Sequence, residues 1–121
     1  MFKNALTAIL ERTENSLGAL IMGTDGIAVE QVLSDEGQSL NLDVAAAEFT
    51  SLIRNAQRTG SDIGHGRLRE LVMAYDDVSI IARLINDEYF LLLALRPDAV
   101  LGRGRFELRK AELDLIPEFV V

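Results

Sequence analysis

Few side chains in this sequence are of the types that carry out catalysis or bind metals. His65 is the single histidine, it stands between Gly64 and Gly66, and cysteine is absent from the whole sequence. A zinc site needs several nitrogen or sulfur ligands, so we interpret His65 as a solvated loop residue. The G-x-S-x-G pattern of a hydrolase nucleophile does not occur either. We therefore expect neither an enzyme active site nor a bound metal or cofactor.

Pairs of glycines and of carboxylates give only weak chemical signals. Gly102-Arg103-Gly104 lacks the third glycine and the Lys-Ser/Thr pair that a phosphate-binding loop needs, and so does Gly64-His65-Gly66. We interpret the first as a helix entry and the second as a turn. Acid–base catalysis needs carboxylates that converge in a pocket, whereas Asp76-Asp77 falls at a predicted hairpin turn.

A basic cluster lies at the start and middle of the last predicted helix: Arg103, Arg105, Arg109 and Lys110. Cations near a helix N-terminus oppose its dipole, so the helix itself does not favour them there. Either they meet an acidic partner surface, or they pair with Glu107, Glu112 or neighbouring acids and remain solvated. The sequence leaves both interpretations open.

The same helix has apolar residues on two faces. Phe106 and Leu113 point almost opposite to a first apolar face, which must meet the core. That first face consists of Gly104, Leu108, Ala111 and Leu115. Phe106 and Leu113 either pack on the first helix of the chain or remain exposed, and an exposed pair would mark a partner-binding site.

The bulk composition limits the kinds of function. The chain has 121 residues, of which 49% are hydrophobic and 26% charged, which fits one domain over residues 1–121 with its own core. The net charge of −7 argues against nucleic-acid binding, because neutralising phosphates needs a basic face. No apolar run approaches the ~20 residues of a membrane-spanning helix, and the first residues lack a secretory pattern. We expect a cytoplasmic protein without membrane insertion.

The spacing of apolar residues predicts eight elements in the order α-β-β-α-β-β-β-α. Repeats near 3.6 residues predict the helices, and apolar or alternating runs predict the strands. Asp43 is the expected N-cap of the second helix, and Gly60 is its expected end. The helices are expected at 2–14, 44–59 and 104–116, and the strands at 17–22, 27–33, 68–75, 78–85 and 89–95.

Two features define the expected fold class. The linkers 76–77 and 86–88 are short enough for hairpins, which make the sheet antiparallel. The runs 79–82 and 89–95 are nearly continuous in apolar residues, so both faces of the sheet need cover. We predict an α+β protein with a five-stranded antiparallel sheet in a three-layer α/β/α sandwich.

This order of elements, with the motifs it carries, resembles the roadblock/LC7 family, whose fold is profilin-like. The family includes light chains of dynein and bacterial regulators of the gliding-polarity small GTPase. The matching residues extend over essentially the whole chain. They are 18–22 with the turn and strand at 25–28, then 66–73 with Asp76-Asp77, then 89–95, and finally Leu101-Gly102 with Arg105, Leu108 and Arg109.

The resemblance implies a homodimer that joins through the second helix and the strand after it. From the residues themselves, strand 68–75 could be a sheet edge, and Leu71, Val72 and Met73 are poor edge protection in a monomer. The residues expected in the dimer interface are Glu48, Ser51, Leu52, Asn55, Leu68, Leu71, Val72 and Met73.

The resemblance also implies a protein-interaction module that regulates or scaffolds a partner, with a Ras-like small GTPase as the expected partner. An activating role would position the GTPase's own catalytic groups, or would supply an arginine in trans from Arg54 or Arg58. The alternative is a structural adaptor, a light-chain-like subunit of a motor or signalling complex that leaves GTP turnover unchanged. The residues expected to contact a partner are Arg54, Arg58, Arg103, Arg105, Phe106, Arg109 and Leu113.

Overall fold

The computed structural model describes residues 1–119 of the chain. It contains the predicted helices and strands in the predicted order. The helices are α1 (Phe2–Arg12), α2 (Leu42–Asp62) and α3 (Leu101–Leu115), and the strands are β1 (Ser16–Gly23), β2 (Ala28–Leu33), β3 (Glu70–Ala74), β4 (Ser79–Leu84) and β5 (Tyr89–Leu95). Two short 3-10 helices, Glu36–Ser39 and Ile116–Phe119, precede α2 and follow α3.

The five strands form one antiparallel sheet in the order β2-β1-β5-β4-β3. The central strand β5 is buried from Phe90 to Leu95. Its continuous apolar sequence fits that position, because a strand covered on both faces has no solvent-facing side. The strands β2 and β3 are the two edges of the sheet.

Helices cover both faces of the sheet, which makes three layers. Because alternate residues of a strand point to opposite faces, Leu91 and Leu93 pack with α1 and α3, whereas Leu92 packs with α2. Leu6 and Ile9 of α1 lie in the same cluster as three residues of α3, namely Leu108, Ala111 and Leu115. The predicted three-layer α+β architecture is confirmed.

The helix α2 begins before its predicted start. Its N-cap is Asn41, whose Oδ1 accepts a hydrogen bond from the Val44 N–H at 3.3 Å. The prediction that Asp43 is the cap was wrong: Asp43 lies inside the first turn, where its charge is favourable to the helix dipole. Leu42 becomes helical and is buried against the sheet.

The end of α2 also differs from the prediction. Gly60 lies within the helix, which continues to Asp62, and the residues with positive φ after it are Gly64 at +74° and Gly66 at +89°. The loop after the helix returns over Gly60, where a Cβ atom would lie 2.7 Å from the Gly66 carbonyl oxygen. Gly60 is therefore required by a close approach of the backbone, and Gly64 reverses the chain.

The helix α3 begins at Leu101, whereas the sequence predicted Gly104. The Arg103 and Gly104 N–H groups both donate to the Val100 carbonyl, at 3.1 and 3.5 Å. No side chain caps this end, so the usual start signal was missing from the sequence. Leu101 packs against the α1–α3 side of the core and favours the extra turn.

Candidate functional site

The outer side of β3 is an open edge of the sheet. The Tyr75 N–H donates to Val78 O at 2.8 Å, and the Leu84 N–H donates to Arg69 O at 3.0 Å. Because backbone groups alternate along an antiparallel ladder, the odd-numbered residues of β3 face β4. The N–H and C=O groups of Val72 consequently point away from the sheet, where residues 1–119 place no further strand.

The outer side of β2 is partly occupied by side chains of its own chain. The Ser34 N–H donates to Leu17 O, so the same alternation directs the backbone groups of Gln31 and Leu33 outward. The Gln31 N–H donates to the Glu30 carboxylate at 3.1 Å, and the Gln38 amide donates to Leu33 O at 3.5 Å. A β-bulge opposite Ile21 and Met22 further disturbs this edge.

An apolar flank of α2 lies beside the open edge. Leu52 is 44% exposed, and the ring of Phe49 lies 6.4 Å from the ring of Tyr75, at the end of β3. Leu71 and Met73 point to the same side of the sheet and are only half-buried. This α2–β3 surface thus leaves large apolar groups incompletely covered.

The structure places most of the predicted dimer residues on or beside this surface. Glu48, Ser51, Leu52 and Asn55 are all exposed along α2. Leu68, Leu71 and Met73 pack on the α2 side, while the Val72 side chain points to the opposite face and is 37% exposed. Sequence reasoning missed the aromatic pair Phe49–Tyr75, although the two residues lie in the predicted helix 44–59 and the predicted strand 68–75.

Arg54 and Arg58 lie on the other flank of α2. Successive residues advance about 100° around a helix, which places both arginines roughly opposite Leu52. Both are exposed, and the Arg58 guanidinium donates to the Asn55 side chain at 2.6 Å. Of the predicted dimer contacts on this helix, Leu52 is therefore separated from both arginines, whereas Asn55 lies directly beside Arg58.

Most of the basic cluster on α3 is paired with acids. Arg105 binds Glu70 at 2.8 Å, and this hydrogen bond and charge raise the pKa of the Arg105 guanidinium above its ordinary value. Arg103 and Lys110 both bind the buried carboxylate of Glu107, at 2.7 and 3.4 Å. Within residues 1–119, Arg109 takes part in no ion pair.

The second apolar face of α3 is exposed. Phe106 is 54% exposed and Leu113 is 64% exposed. The alternative in which they pack on α1 was wrong, because α1 meets α3 through Ile9 and Leu108 in the α1–α3 core. The two residues lie instead on the outward crest of the helix.

A cleft of about 520 Å³ lies between the loop after α2, β4 and α3. Arginine side chains line much of it, together with Leu113 and Ile116. His65 lies in the exposed loop at its rim. In the described part of the chain, no three His, Cys, Asp or Glu residues are grouped so that they could hold a metal. No helix between residues 1 and 119 is long and apolar enough to cross a membrane.

No protein-family model and no curated protein matches the sequence. A roadblock/LC7 domain from Streptomyces avermitilis has a TM-score of 0.84 and 16% identity, over 97% of this chain and 96% of that one. An MglB with a tetrameric arrangement has a TM-score of 0.85 and 19% identity, over 95% and 85%. MglC from Myxococcus xanthus is 30% identical, with a TM-score of 0.70 over 98% of both chains. The chain belongs to the roadblock/LC7 family.

The roadblock/LC7, profilin-like fold class expected from the sequence is thereby confirmed. Likeness to MglC and MglB over nearly the full length supports a small protein-interaction or regulatory module. In this roadblock/LC7 chain, the open edge of β3 lies beside an apolar flank of α2, so that unpaired backbone groups and exposed apolar side chains occur together on one surface.

Proposed function

We propose that the chain is a cytoplasmic homodimeric interaction module that joins through the open edge of β3 and the apolar flank of α2. Two antiparallel β3 strands would pair edge to edge and merge the two sheets. The observation that carries this proposal is the difference between the sheet edges: on β2 the outward Gln31 N–H and Leu33 carbonyl have partners in their own chain, whereas the outward groups of Val72 on β3 have none in residues 1–119.

The side chains around the open edge support the same geometry. Unpaired backbone groups on an edge strand attract a second strand. Pairing would also bring Leu52 and Tyr75 of one copy close to the other copy and would remove exposed apolar area from water. Membership of a family that includes an MglB with a tetrameric arrangement agrees with self-association.

The absence of cysteine from the sequence allows a direct test by disulfide crosslinking. In a symmetric pair of antiparallel β3 strands, the residue at the two-fold axis lies opposite its own copy, and the register decides which residue this is. Three registers are tested with three single variants: Leu71→Cys, Val72→Cys and Met73→Cys. Under mild oxidation, we expect one of the three to give a covalent dimer of the 13.3 kDa chain. The matched control is Val29→Cys on β2, since Val29 is 39% exposed and Val72 is 37% exposed.

Crosslinking would count against the proposed dimer if none of the three β3 variants formed a covalent pair, or if Val29→Cys formed one as readily. Sedimentation of the unmodified protein gives an independent reading. A particle of monomer mass at micromolar concentration would exclude the dimer.

We further propose that the dimer regulates a Ras-like small GTPase. Family resemblance supports this partner class, and Arg54 lies on the flank of α2 away from Leu52, while Arg58 borders the expected dimer contact Asn55. An arginine supplied in trans stabilises the charge that develops during phosphoryl transfer. Both Arg54 and Arg58 are exposed on α2, and the Arg58 guanidinium donates to the Asn55 side chain at 2.6 Å.

The test is GTP hydrolysis by a Ras-like GTPase in single turnover, with and without the protein. We expect acceleration that Arg54→Ala or Arg58→Ala reduces by roughly tenfold or more. A matched control is Arg96→Ala, another exposed arginine away from α2. Binding without any change in turnover would favour the adaptor alternative, and absence of binding would reject the GTPase proposal.

A further inference from the structure

The outward crest of α3 carries an apolar ridge that no part of residues 1–119 covers. We define the α3 ridge as Phe106, Arg109, Lys110 and Leu113, which follow the i, i+3, i+4, i+7 spacing of one helix face. The four side chains line an open pocket of about 280 Å³. An exposed phenylalanine and leucine at this spacing form the kind of surface on which another helix packs.

Cations flank the ridge on both sides. Arg109 lies on the side towards β4, and Arg103 and Lys110 lie on the side towards α1. Arg103 and Lys110 approach the Phe106 ring, at 5.4 and 5.6 Å from its centroid. Arg109 lines both this pocket and the adjoining cleft of about 520 Å³.

A buried carboxylate fixes the two cations beside Phe106. Glu107 is 2% exposed, although it is the residue directly after Phe106 on a surface helix. Its oxygens lie 2.7 Å from Arg103 and 3.4 Å from Lys110, so one buried charge holds both cations next to the ring. These ion pairs place both cations beside Phe106 in the unbound chain.

We propose that the α3 ridge binds an acidic amphipathic helix of a partner protein. Apolar side chains of that helix would fill the pocket between Phe106 and Leu113, while its carboxylates would face Arg109 on one side and Lys110 on the other. Charge complementarity favours an acidic occupant here although the chain has a net charge of −7, because Arg109 takes part in no ion pair within residues 1–119 and the Lys110 side chain is 46% exposed. The same net charge disfavours an anionic membrane surface, which would repel the rest of the molecule.

This proposal is independent of the proposed dimer. The helix α3 packs on one face of the sheet and α2 on the other. Variants on the ridge should therefore leave the oligomeric state unchanged, and the ridge proposal and the dimer proposal can fail separately.

The experiment uses three fluorescent synthetic peptides, each about 15 residues long to match the length of α3. One is an amphipathic helix with leucines on one face and glutamates beside them. The second has lysine in place of each glutamate, and the third has the acidic composition in scrambled order. Fluorescence anisotropy with the full-length protein measures binding at about 50 mM and about 300 mM salt.

We expect the acidic amphipathic peptide to bind more tightly than the other two and to lose affinity as salt rises. The double variant Phe106→Ala/Leu113→Ala and the single variant Arg109→Glu should each weaken binding by roughly tenfold. Leu52→Ala and Arg58→Glu, on the α2 face, are the matched controls and should have no effect. Amide shifts in NMR spectra should map the peptide to α3.

Three results would overturn the proposal. The first is equal binding of the acidic and lysine peptides, and the second is unchanged affinity in the ridge variants. The third is that no peptide binds but the protein sediments with phosphatidylserine-containing vesicles, and that Phe106→Ala abolishes this sedimentation. That result would mean that the ridge binds a membrane surface. Circular dichroism checks that the variants fold, and alanine at exposed helix positions favours the helix.

Discussion

The two edge strands of the sheet differ in what their outward backbone groups bind. On β2, the Gln31 N–H and the Leu33 carbonyl are bound by the side chains of Glu30 and Gln38. On β3, the outward groups of Val72 have no strand beside them in residues 1–119. An edge strand invites pairing only while its donors and acceptors remain free. The comparison therefore makes β3, rather than β2, the edge through which the proposed dimer would join.

The two faces of the sheet also differ in how completely helices cover them. On one face, α1 and α3 pack together, and Phe119 closes the end of that layer with its ring 5.1 Å from Phe2 and 4.6 Å from Tyr89. On the other face, α2 is alone and leaves Leu52 and Tyr75 exposed near β3. A single helix is too narrow to cover a five-stranded sheet. The part of this face that α2 leaves uncovered lies beside β3, which is also the open edge.

Proline substitution gives the largest expected contrast between the two edges. Val72→Pro removes an outward N–H and places a ring where a paired strand would lie, while leaving the ladder to β4 intact. We expect dimer affinity to fall roughly 100-fold, about 2.7 kcal/mol. Gln31→Pro on β2 is the matched control and should leave the dimer unchanged. Sedimentation equilibrium measures both.

Val72→Lys separates loss of pairing from loss of folding. A lysine on an edge strand opposes edge-to-edge association without a change in backbone geometry. We expect a folded monomer, shown by circular dichroism and mass in solution. A folded Val72→Lys protein that dimerises as tightly as the parent would show that β3 is not the joining strand.

A glycine beside β2 tests how its edge is kept closed. A Cβ atom at Gly37 would lie 1.8 Å from the Leu17 carbonyl oxygen, so Gly37→Ala must displace the 3-10 helix that carries Gln38. We expect the free energy of unfolding to fall by about 2 kcal/mol. The control is Gly102→Ala in α3, where no atom lies within 4 Å of the added group, and it should gain about 0.5 kcal/mol. Urea unfolding at one protein concentration measures both.

The sequence was sufficient for the order of elements because long apolar runs and helical spacing are local signals. Strand β5 was predicted with its observed bounds, since an unbroken apolar run ends where Pro97 begins the next loop. Sequence reasoning placed the end of α2 wrongly, because Gly60 is needed for a contact with Gly66 that no local pattern reveals.

The candidate site was less predictable because it depends on contacts distant in sequence. The motif at 68–75 correctly suggested an edge, but only the structure distinguishes β3 from β2. The hydrogen bonds of Glu30 and Gln38 to backbone groups leave no periodic trace in the sequence. The exposure of Phe106 likewise depends on how α1 is placed beside α3. The sequence alone therefore allowed Phe106 either to pack on α1 or to be exposed.

Leu52→Ala tests whether the flank of α2 contributes to the same interface as the open edge. The substitution removes a half-exposed apolar side chain and keeps a strong helix former. We expect dimer affinity to fall about tenfold, or about 1.4 kcal/mol. Leu113→Ala is the matched control on the opposite face of the sheet, and it should leave dimerisation unchanged. Equal losses for the two leucines would show that exposure alone, rather than position beside β3, determines the effect.

The smallest expected effect concerns a single hydrogen bond on the closed edge. Glu30→Ala removes the acceptor of the Gln31 N–H, which lies 3.1 Å from the carboxylate. We expect the protection of that amide against hydrogen exchange to fall by about 0.5–1 kcal/mol, so that the amide exchanges a few times faster. Glu30→Gln retains an acceptor oxygen and should restore most of the protection, whereas dimer affinity should stay constant in both. If Glu30→Ala instead left hydrogen exchange at Gln31 unchanged, the carboxylate would not be what protects this edge. The difference between the β2 and β3 edges would then depend on the β-bulge and on Gln38 alone.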